Sequence, residues 1–289
     1  MRIRFITAFL FMSLAANAQE IAQKVAIEIC NCVDTIENMD SLEAKVNRCS
    51  SDALETVLEA SSDEVQEIYS SDDAVEETIN KAMESLLSEC PKIKKFILED
   101  RKETFYKLSA SDAANKLYEQ GNDLYAKEDF KGALKAYTSA IKKDPSFIYA
   151  IDNLALTYRK LGNNKKAIKY YNRSLEIYPE GSLALQNIAV AYLAASDLKS
   201  AMESYQKFAF YYPEDPEGYF GIGRIYVASG EYEEAMDYVF AAHKIYTYSN
   251  SEYVKDSQQL ISVIYNKMRE KNKLDEFIQK AKQYGINYN

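Results

Sequence analysis

Four cysteines and one histidine carry the most distinctive side-chain chemistry of the 289-residue chain, and they are Cys30, Cys32, Cys49, Cys90 and His243. A single histidine excludes most catalytic triads and most histidine-based metal sites. The sequence also lacks the G-x-x-x-x-G-K-[ST] loop that binds nucleotide phosphates. We therefore predict no enzyme activity, no cofactor and no bound metal, and we interpret His243 as a surface or packing residue.

The first 18 residues have the three parts of a secretory signal peptide. Arg2 and Arg4 supply the positive start, Phe5–Ala15 the apolar stretch, and Ala16–Ala18 a small-x-small cleavage site. The apolar stretch is too short to cross a bilayer, which takes about 20 residues. We predict cleavage before Gln19, a mature chain without a transmembrane segment, and a periplasmic or secreted location.

An even number of cysteines in an exported chain favours two disulfides. Cys30 and Cys32 are two residues apart, so on a helix their side chains point about 200° apart and cannot bond each other. Each must pair with Cys49 or Cys90, and the pairings 30–49/32–90 and 32–49/30–90 both stay open. A four-cysteine zinc site does not fit the spacing, and a redox-active pair lacks the usual C-x-x-C motif.

Charge and tyrosine content divide the mature chain into two parts. Residues 19–100 contain 20 acidic and 7 basic residues, a net charge of −13, whereas residues 101–289 contain 24 acidic and 26 basic residues, a net charge of +2. Of the 24 tyrosines, Tyr69 is the only one in the first part. These differences place a boundary near residues 100–110.

The acidic first part is helical by pattern. Apolar residues recur every three or four positions over residues 22–36, 42–57 and 75–86. Asp40 and Glu43 have the spacing of a capping box at the start of the second helix. We predict a small bundle of three or four helices, whose thin core is held by the disulfides.

Residues of matched size recur every 34 positions in the second part. Two small sets, one mostly tyrosine set and one proline set show this spacing: Gly121, Ala155, Ala189 and Gly223; Ala133, Ala167, Ala201 and Ala235; Tyr137, Tyr171, Tyr205 and Val239; Pro145, Pro179 and Pro213. The small residues let two helices approach closely, and the proline ends the second helix. Each unit leaves an apolar face that the next unit covers.

This pattern resembles the tetratricopeptide repeat (TPR) family. The resemblance implies an all-α protein, namely a right-handed α-solenoid of TPR helix hairpins preceded by a small helical bundle. The tryptophan that the family has early in each first helix is replaced by other large residues, which are Leu117, Ile151, Leu185 and Tyr219.

We divide the chain into four segments on this basis. They are a signal peptide at 1–18, an acidic cysteine-containing helical module at 19–105, four TPR repeats at 113–248, and a degenerate fifth repeat or C-terminal capping helices at 249–289. In the last segment, the pattern predicts helices over 253–269 and 274–284. These helices either cap the array or dock elsewhere.

In the family that the sequence resembles, the first helices line a concave surface that binds an extended peptide or a partner helix. The corresponding residues combine aromatic rings with amides that pair with a peptide backbone: Tyr118, Asn122, Tyr125, Tyr149, Asp152, Asn153, Leu156, Arg159, Gln186, Asn187, Val190, Leu193, Phe220, Arg224 and Val227. Alternatively, several tyrosines only complete the packing between repeats. Because Asp152 offsets Arg159 and Arg224 stands alone, the groove has no basic stripe, and we predict no nucleic-acid partner.

The sequence therefore predicts an exported TPR protein that mediates protein–protein interaction through this concave face, as an adaptor, scaffold or assembly factor. One alternative is a self-associating structural component of the envelope that uses the disulfide-containing bundle. A third hypothesis is a thiol-redox role for that bundle. The identity of the partner is not encoded in any motif of the chain.

Overall fold

The computed structural model describes residues 19–63, 66 and 71–287, so the predicted signal peptide lies outside the described residues. Within them the secondary structure is helical and contains no strand, which confirms the all-α prediction. No helix among these residues is long and apolar enough to cross a membrane. The chain divides after Arg101 into two compact units.

The first unit contains α1 (19–32), α2 (Met39–Glu59), α3 (Asp72–Glu89) and the start of α4 (Pro91–Phe105). One face of each helix contributes to a common core that includes Ile29, Val46, Ala82 and Ile93. Pro91 lies at the first position of α4, where its missing N–H has no helical partner to lose.

The helix α2 begins earlier than the sequence analysis predicted. Its N-cap is Asn38, whose Oδ1 accepts a hydrogen bond from the Ser41 backbone N–H at 2.8 Å. The Ser41 Oγ accepts in return from the Asn38 N–H at 3.1 Å. The predicted capping box of Asp40 and Glu43 is therefore wrong, because the Asn38–Ser41 pair satisfies the free N–H groups two residues earlier.

The cysteines of the first unit lie in two bonded pairs. The Sγ atoms of Cys30 and Cys90 are 2.08 Å apart, with their Cα atoms at 5.4 Å. Those of Cys32 and Cys49 are 1.95 Å apart, with their Cα atoms at 5.9 Å. The structure thus adopts one of the two pairings that the sequence left open.

The second unit is a right-handed solenoid of helix hairpins in which each helix packs against the one before and the one after it. Its helices are α5 (Asp112–Ala126), α6 (Phe130–Lys143), α7 (Ile148–Lys160), α8 (Asn164–Ile177), α9 (Ser182–Ala194), α10 (Leu198–Tyr211), α11 (Pro216–Ser229), α12 (Tyr232–Tyr248), α13 (Val254–Glu270) and α14 (Leu274–Gln283). Small residues sit where the two helices of a hairpin meet. A Cβ atom added at Gly223 would lie 2.4 Å from Val239 Cγ2.

The turn inside each of the first four hairpins repeats its backbone geometry. One residue has a positive φ in every turn: Glu128 (60°), Gly162 (73°), Ser196 (61°) and Gly230 (79°). In the first three hairpins, the next residue caps the second helix through its side chain; these caps are Asp129, Asn163 and Asp197. The 34-residue period therefore extends to the turns.

The fifth hairpin, α13 and α14, packs against the fourth. The Phe277 ring lies 5.4 Å from the rings of both Phe240 and Tyr265. The Tyr284 Oη donates a hydrogen bond to Asp237 at 2.8 Å, and the Lys280 Nζ pairs with the same carboxylate at 2.9 Å. These contacts place α14 against α12 rather than elsewhere.

Candidate functional site

The groove residues named from the sequence lie on the four first helices α5, α7, α9 and α11. We call the surface they form the concave surface. Within this set Asp152 is buried, Arg224 is exposed, and the others are partly buried. We divide the surface into two halves. The first half consists of α5 and α7, and the second half consists of α9, α11 and the adjacent helix α13.

The asparagine side chains in the first half form hydrogen bonds with each other and with neighbouring tyrosines. The Asn153 Nδ2 donates hydrogen bonds to the Tyr118 Oη at 3.2 Å and to the Asn122 Oδ1 at 3.1 Å. The same Asn122 oxygen accepts from the Tyr137 Oη at 2.8 Å. Part of the hydrogen-bonding capacity that the sequence analysis assigned to a bound peptide is therefore used inside the protein.

A tyrosine from outside the repeats lies on the first half. The Tyr106 ring packs edge-on against the Tyr149 ring at 4.3 Å. The Tyr149 Oη donates to the Tyr106 carbonyl at 3.2 Å, and the Tyr106 Oη donates to Asp152 Oδ2 at 3.3 Å. Tyr106 could not be identified from the 34-residue pattern because it lies before the first repeat. Its only distinguishing feature in the sequence is that Phe105 and Tyr106 are adjacent aromatic residues in a polar stretch.

The carboxyl group of Asp152 has a raised pKa. Its side chain is 1% exposed, and burial raises the pKa of its carboxyl to about 7. The hydrogen bond that Oδ2 accepts from the Tyr106 hydroxyl acts in the opposite direction without cancelling that effect. We expected the charge of Asp152 to offset that of Arg159, but the Arg159 guanidinium donates to the Asn187 Oδ1 at 3.1 Å.

The second half contains an open cavity of about 750 Å³. Three of the predicted residues, Gln186, Phe220 and Arg224, line it. Two further aromatic residues continue the wall: Phe220 contacts Tyr246 at 5.9 Å between ring centroids, and Tyr246 contacts Tyr253 at 6.0 Å. The remaining predicted residues lie outside this cavity, so the structure does not bring the full set into one site.

Charges of both signs border the aromatic wall of the cavity. The Arg224 guanidinium lies 5.9 Å from the Phe220 ring centroid and is exposed. The Tyr246 Oη donates to Glu217 Oε1 at 2.6 Å, and burial together with this carboxylate raises the pKa of Tyr246 well above its ordinary value. Asp256 also lines the cavity, from α13, and is exposed.

The residues that α13 contributes to the cavity do not follow from the 34-residue pattern, because the repeat period changes there. The helix α12 has 17 residues, whereas the equivalent helix α10 has 14. The positions of Phe220, Arg224 and Val227 recur 36 residues later as Asp256, Leu260 and Val263, and these three line the cavity. A search for periods near 34 rather than at 34 would have found them.

His243 packs between α12 and α13. Its Nδ1 lies 2.9 Å from the Ser257 Oγ, and partial burial lowers its pKa. This position favours a role in holding the fifth hairpin.

The consecutive packing of its helices defines the chain's second unit as an α-solenoid of helix hairpins. The sequence matches the tetratricopeptide repeat family over residues 147–207 and again over residues 187–250. The second unit is accordingly a TPR solenoid.

Solved structures of MamA share this fold. A crystal structure of MamA protein is 19% identical, has a TM-score of 0.50, and aligns with 60% of this chain and 90% of its own. MamA from Desulfovibrio magneticus RS-1, from residue 41 to the end, is 12% identical, has a TM-score of 0.50, and aligns with 61% of this chain and 96% of its own. At such identities the likeness concerns the fold alone. A search of curated proteins finds no significant match.

Proposed function

We propose that this chain is an exported protein that binds an extended segment of another protein through the second half of its concave surface, as an adaptor, scaffold or assembly factor. The observation that carries the proposal is the open cavity of about 750 Å³, with an aromatic wall and an exposed arginine. A TPR solenoid presents such an extended surface along its stacked hairpins, which is the arrangement of an interaction module.

The chemistry of the cavity indicates what it binds. Phe220, Tyr246 and Tyr253 offer ring faces and edges to an apolar or aromatic side chain. Arg224 can pair with a carboxylate, and Asp256, which lines the same cavity from α13, can pair with a cation. We infer that the bound segment carries an apolar residue between an acidic and a basic one.

Export is part of the proposal. Two cysteine pairs at bonding distance in the first unit support it, because disulfides persist in oxidising compartments outside the cytosol. Cell fractionation followed by N-terminal sequencing tests it directly. The expected result is a periplasmic or secreted chain that begins at Gln19, and an intact Met1 in the cytosol would contradict it.

Site-specific photocrosslinking in the native host tests the binding face. A photoreactive residue replaces Val263 or Gln259, which line the cavity, and the matched control replaces Lys169, an exposed residue on the second helix α8. Mass spectrometry of the crosslinked peptides should find the same partner segment from both cavity positions. Equal yields of that segment from Lys169 would refute the proposal, and crosslinks to a second copy of this chain would favour self-association instead.

A further inference from the structure

Two residues in the first half of the concave surface, Tyr149 and Asp152, are contacted by the chain itself. Residues 105–109, which we call the aromatic segment, begin at the last residue of α4 and belong to the second unit. Phe105 stacks on Tyr178 at 5.7 Å between ring centroids, with the planes 16° apart. Tyr106 contacts Tyr149 and Asp152 as described above.

The far end of the segment is also anchored. The Ser109 Oγ donates to Asp144 Oδ2 at 2.5 Å, and the Ser109 carbonyl accepts from the Asn115 Nδ2 at 2.8 Å. Backbone and side-chain contacts thus fix the segment over α7 at one end and between α5 and α6 at the other. Its two rings and its backbone carbonyl engage the repeats as a bound peptide would.

The subsite beneath the segment is built for a hydroxylated ring. Tyr149 offers both a ring edge and a hydroxyl donor, and the buried carboxylate of Asp152 accepts from a phenol. A carboxyl group that is 1% exposed needs such a donor, because burying its acceptor oxygens without a partner is unfavourable. A phenylalanine in place of Tyr106 would fill the space and leave this acceptor without its phenol.

We propose that Tyr149, Asp152 and Tyr178 form a binding site for two adjacent aromatic residues, and that Phe105 and Tyr106 are its internal ligand. The internal ligand covers Tyr149 and Asp152 in the first half of the concave surface, so an external partner reaches these two residues only by displacing it. A partner that carries its own aromatic pair must displace the segment to bind the whole surface. The site is separate from that cavity and does not depend on what binds there.

The internal ligand and its site are parts of one chain, and this covalent connection determines how strongly the segment competes with a free peptide. A segment joined to its site by a short linker has an effective concentration of about 1 mM or more. For a free peptide with an intrinsic Kd of about 100 μM, this competition weakens the apparent affinity by about tenfold. Removing the internal ligand should restore that factor.

Peptide binding in trans tests the proposal. The probe is a fluorescent peptide with the sequence of residues 102–110, KETFYKLSA, and a control peptide has alanine in place of its phenylalanine and tyrosine. Fluorescence anisotropy compares the full mature chain with its Phe105→Ala/Tyr106→Ala variant. The variant should bind the probe at least tenfold more tightly than the unaltered chain does and should bind the control peptide no better.

A second variant covers the case in which the double substitution unfolds the protein. Tyr106→Phe keeps the ring and removes the hydrogen bond to Asp152, which weakens the internal ligand and should tighten probe binding by about two- to tenfold. Circular dichroism establishes which variant is folded. If a folded variant binds the probe no more tightly than the unaltered chain, the aromatic segment is a fixed part of the fold and the proposal is overturned.

Discussion

The Oη of Tyr106 lies 3.3 Å from Oδ2 of Asp152, so a residue outside the repeats supplies a hydrogen bond to a buried acid in the first half of the concave surface. This relationship joins the segment after α4 to the second repeat. It also places a group with a pKa of about 7 in a surface otherwise made of rings and amides.

The first prediction concerns the pH dependence of stability. Because the pKa of Asp152 rises from its ordinary 3.8 to about 7 on folding, the folded chain holds this proton more tightly than the unfolded chain does. The stabilisation from this carboxyl is therefore fully present below about pH 4 and is lost as the pH rises to about 7, an amount on the order of 4 kcal/mol. Asp152→Asn should remove this loss and stabilise the second unit at pH 8.

Urea unfolding at pH 4 to 8 measures this, with tyrosine fluorescence as the signal because 23 of the 24 tyrosines lie in the second part of the chain. Asp123→Asn is the matched control at an exposed position of α5. Its stability curve should run parallel to that of the unaltered chain. If the Asp152→Asn curve is also parallel, the carboxyl does not have the raised pKa.

The second prediction concerns the turns inside the hairpins. Ser196 has a φ of 61° in a turn where the neighbouring hairpins have glycine. A left-handed conformation costs a non-glycine residue about 1 kcal/mol or more. Ser196→Gly should therefore stabilise the second unit by about 0.5–1 kcal/mol, after allowing for the greater freedom of glycine in the unfolded chain.

Gly162→Ala is the reverse test at the equivalent turn. A Cβ atom there meets nothing within 4 Å, so the change adds backbone strain without a steric clash. It should destabilise the second unit by about 1 kcal/mol. Changes of the same sign at both positions, measured by urea unfolding, would contradict the account of these turns.

The third prediction concerns the packing that shapes the cavity. A Cβ atom added at Gly221 would lie 2.5 Å from the ring of Tyr205, and both residues line the cavity. Gly221→Ala should cost about 1–3 kcal/mol because the ring must move. The cost should shrink in a Tyr205→Ala background, where the ring is absent. A double-mutant cycle with no coupling energy between the two positions would show that they do not compete for space.

The fourth prediction concerns the disulfides. The Cys30–Cys90 bond spans 60 residues and the Cys32–Cys49 bond spans 17. Loop-closure entropy assigns about 4 kcal/mol of stabilisation to the longer loop and about 3 kcal/mol to the shorter. Replacing Cys30 and Cys90 together by serine should therefore destabilise the first unit more than replacing Cys32 and Cys49.

Peptide mapping of the unreduced protein checks the pairing itself. Mass spectrometry should find the 30–90 and 32–49 crosslinked peptides, and the 30–49 and 32–90 peptides would contradict the structure. Bonds that open under mild reductant would point to the thiol-redox hypothesis.

The hairpins of the solenoid were predictable because each depends on local residue size. Ala155 is small and Tyr171 is large, and this contrast recurs every 34 residues whatever the rest of the chain does. The start of α2 was less predictable, since Asn38 and Asp40 both offer capping side chains and only packing decides between them. Local pattern thus settled the type of each element better than its ends.

The candidate site could be predicted only in part. Phe220 and Arg224 follow from their positions in the repeat, and both line the cavity. Asp256 could not be predicted because it lies 36 residues after Phe220, two residues out of the 34-residue register. Tyr106 could not be predicted as a site residue, because its contact with Asp152 joins residues 46 positions apart and Tyr106 lies outside the repeats. Contacts of that kind depend on the tertiary fold and produce no periodic pattern in the sequence.

Calorimetry with the partner segment identified by crosslinking tests the central claim most directly. The mature chain is compared with Arg224→Ala and Tyr253→Ala, two exposed cavity residues, and with Lys169→Ala as the control on α8. We predict that each cavity substitution raises the Kd at least tenfold, a loss of about 1.4 kcal/mol or more, and that the control leaves it unchanged. Unchanged affinity in both cavity variants would contradict binding through this face.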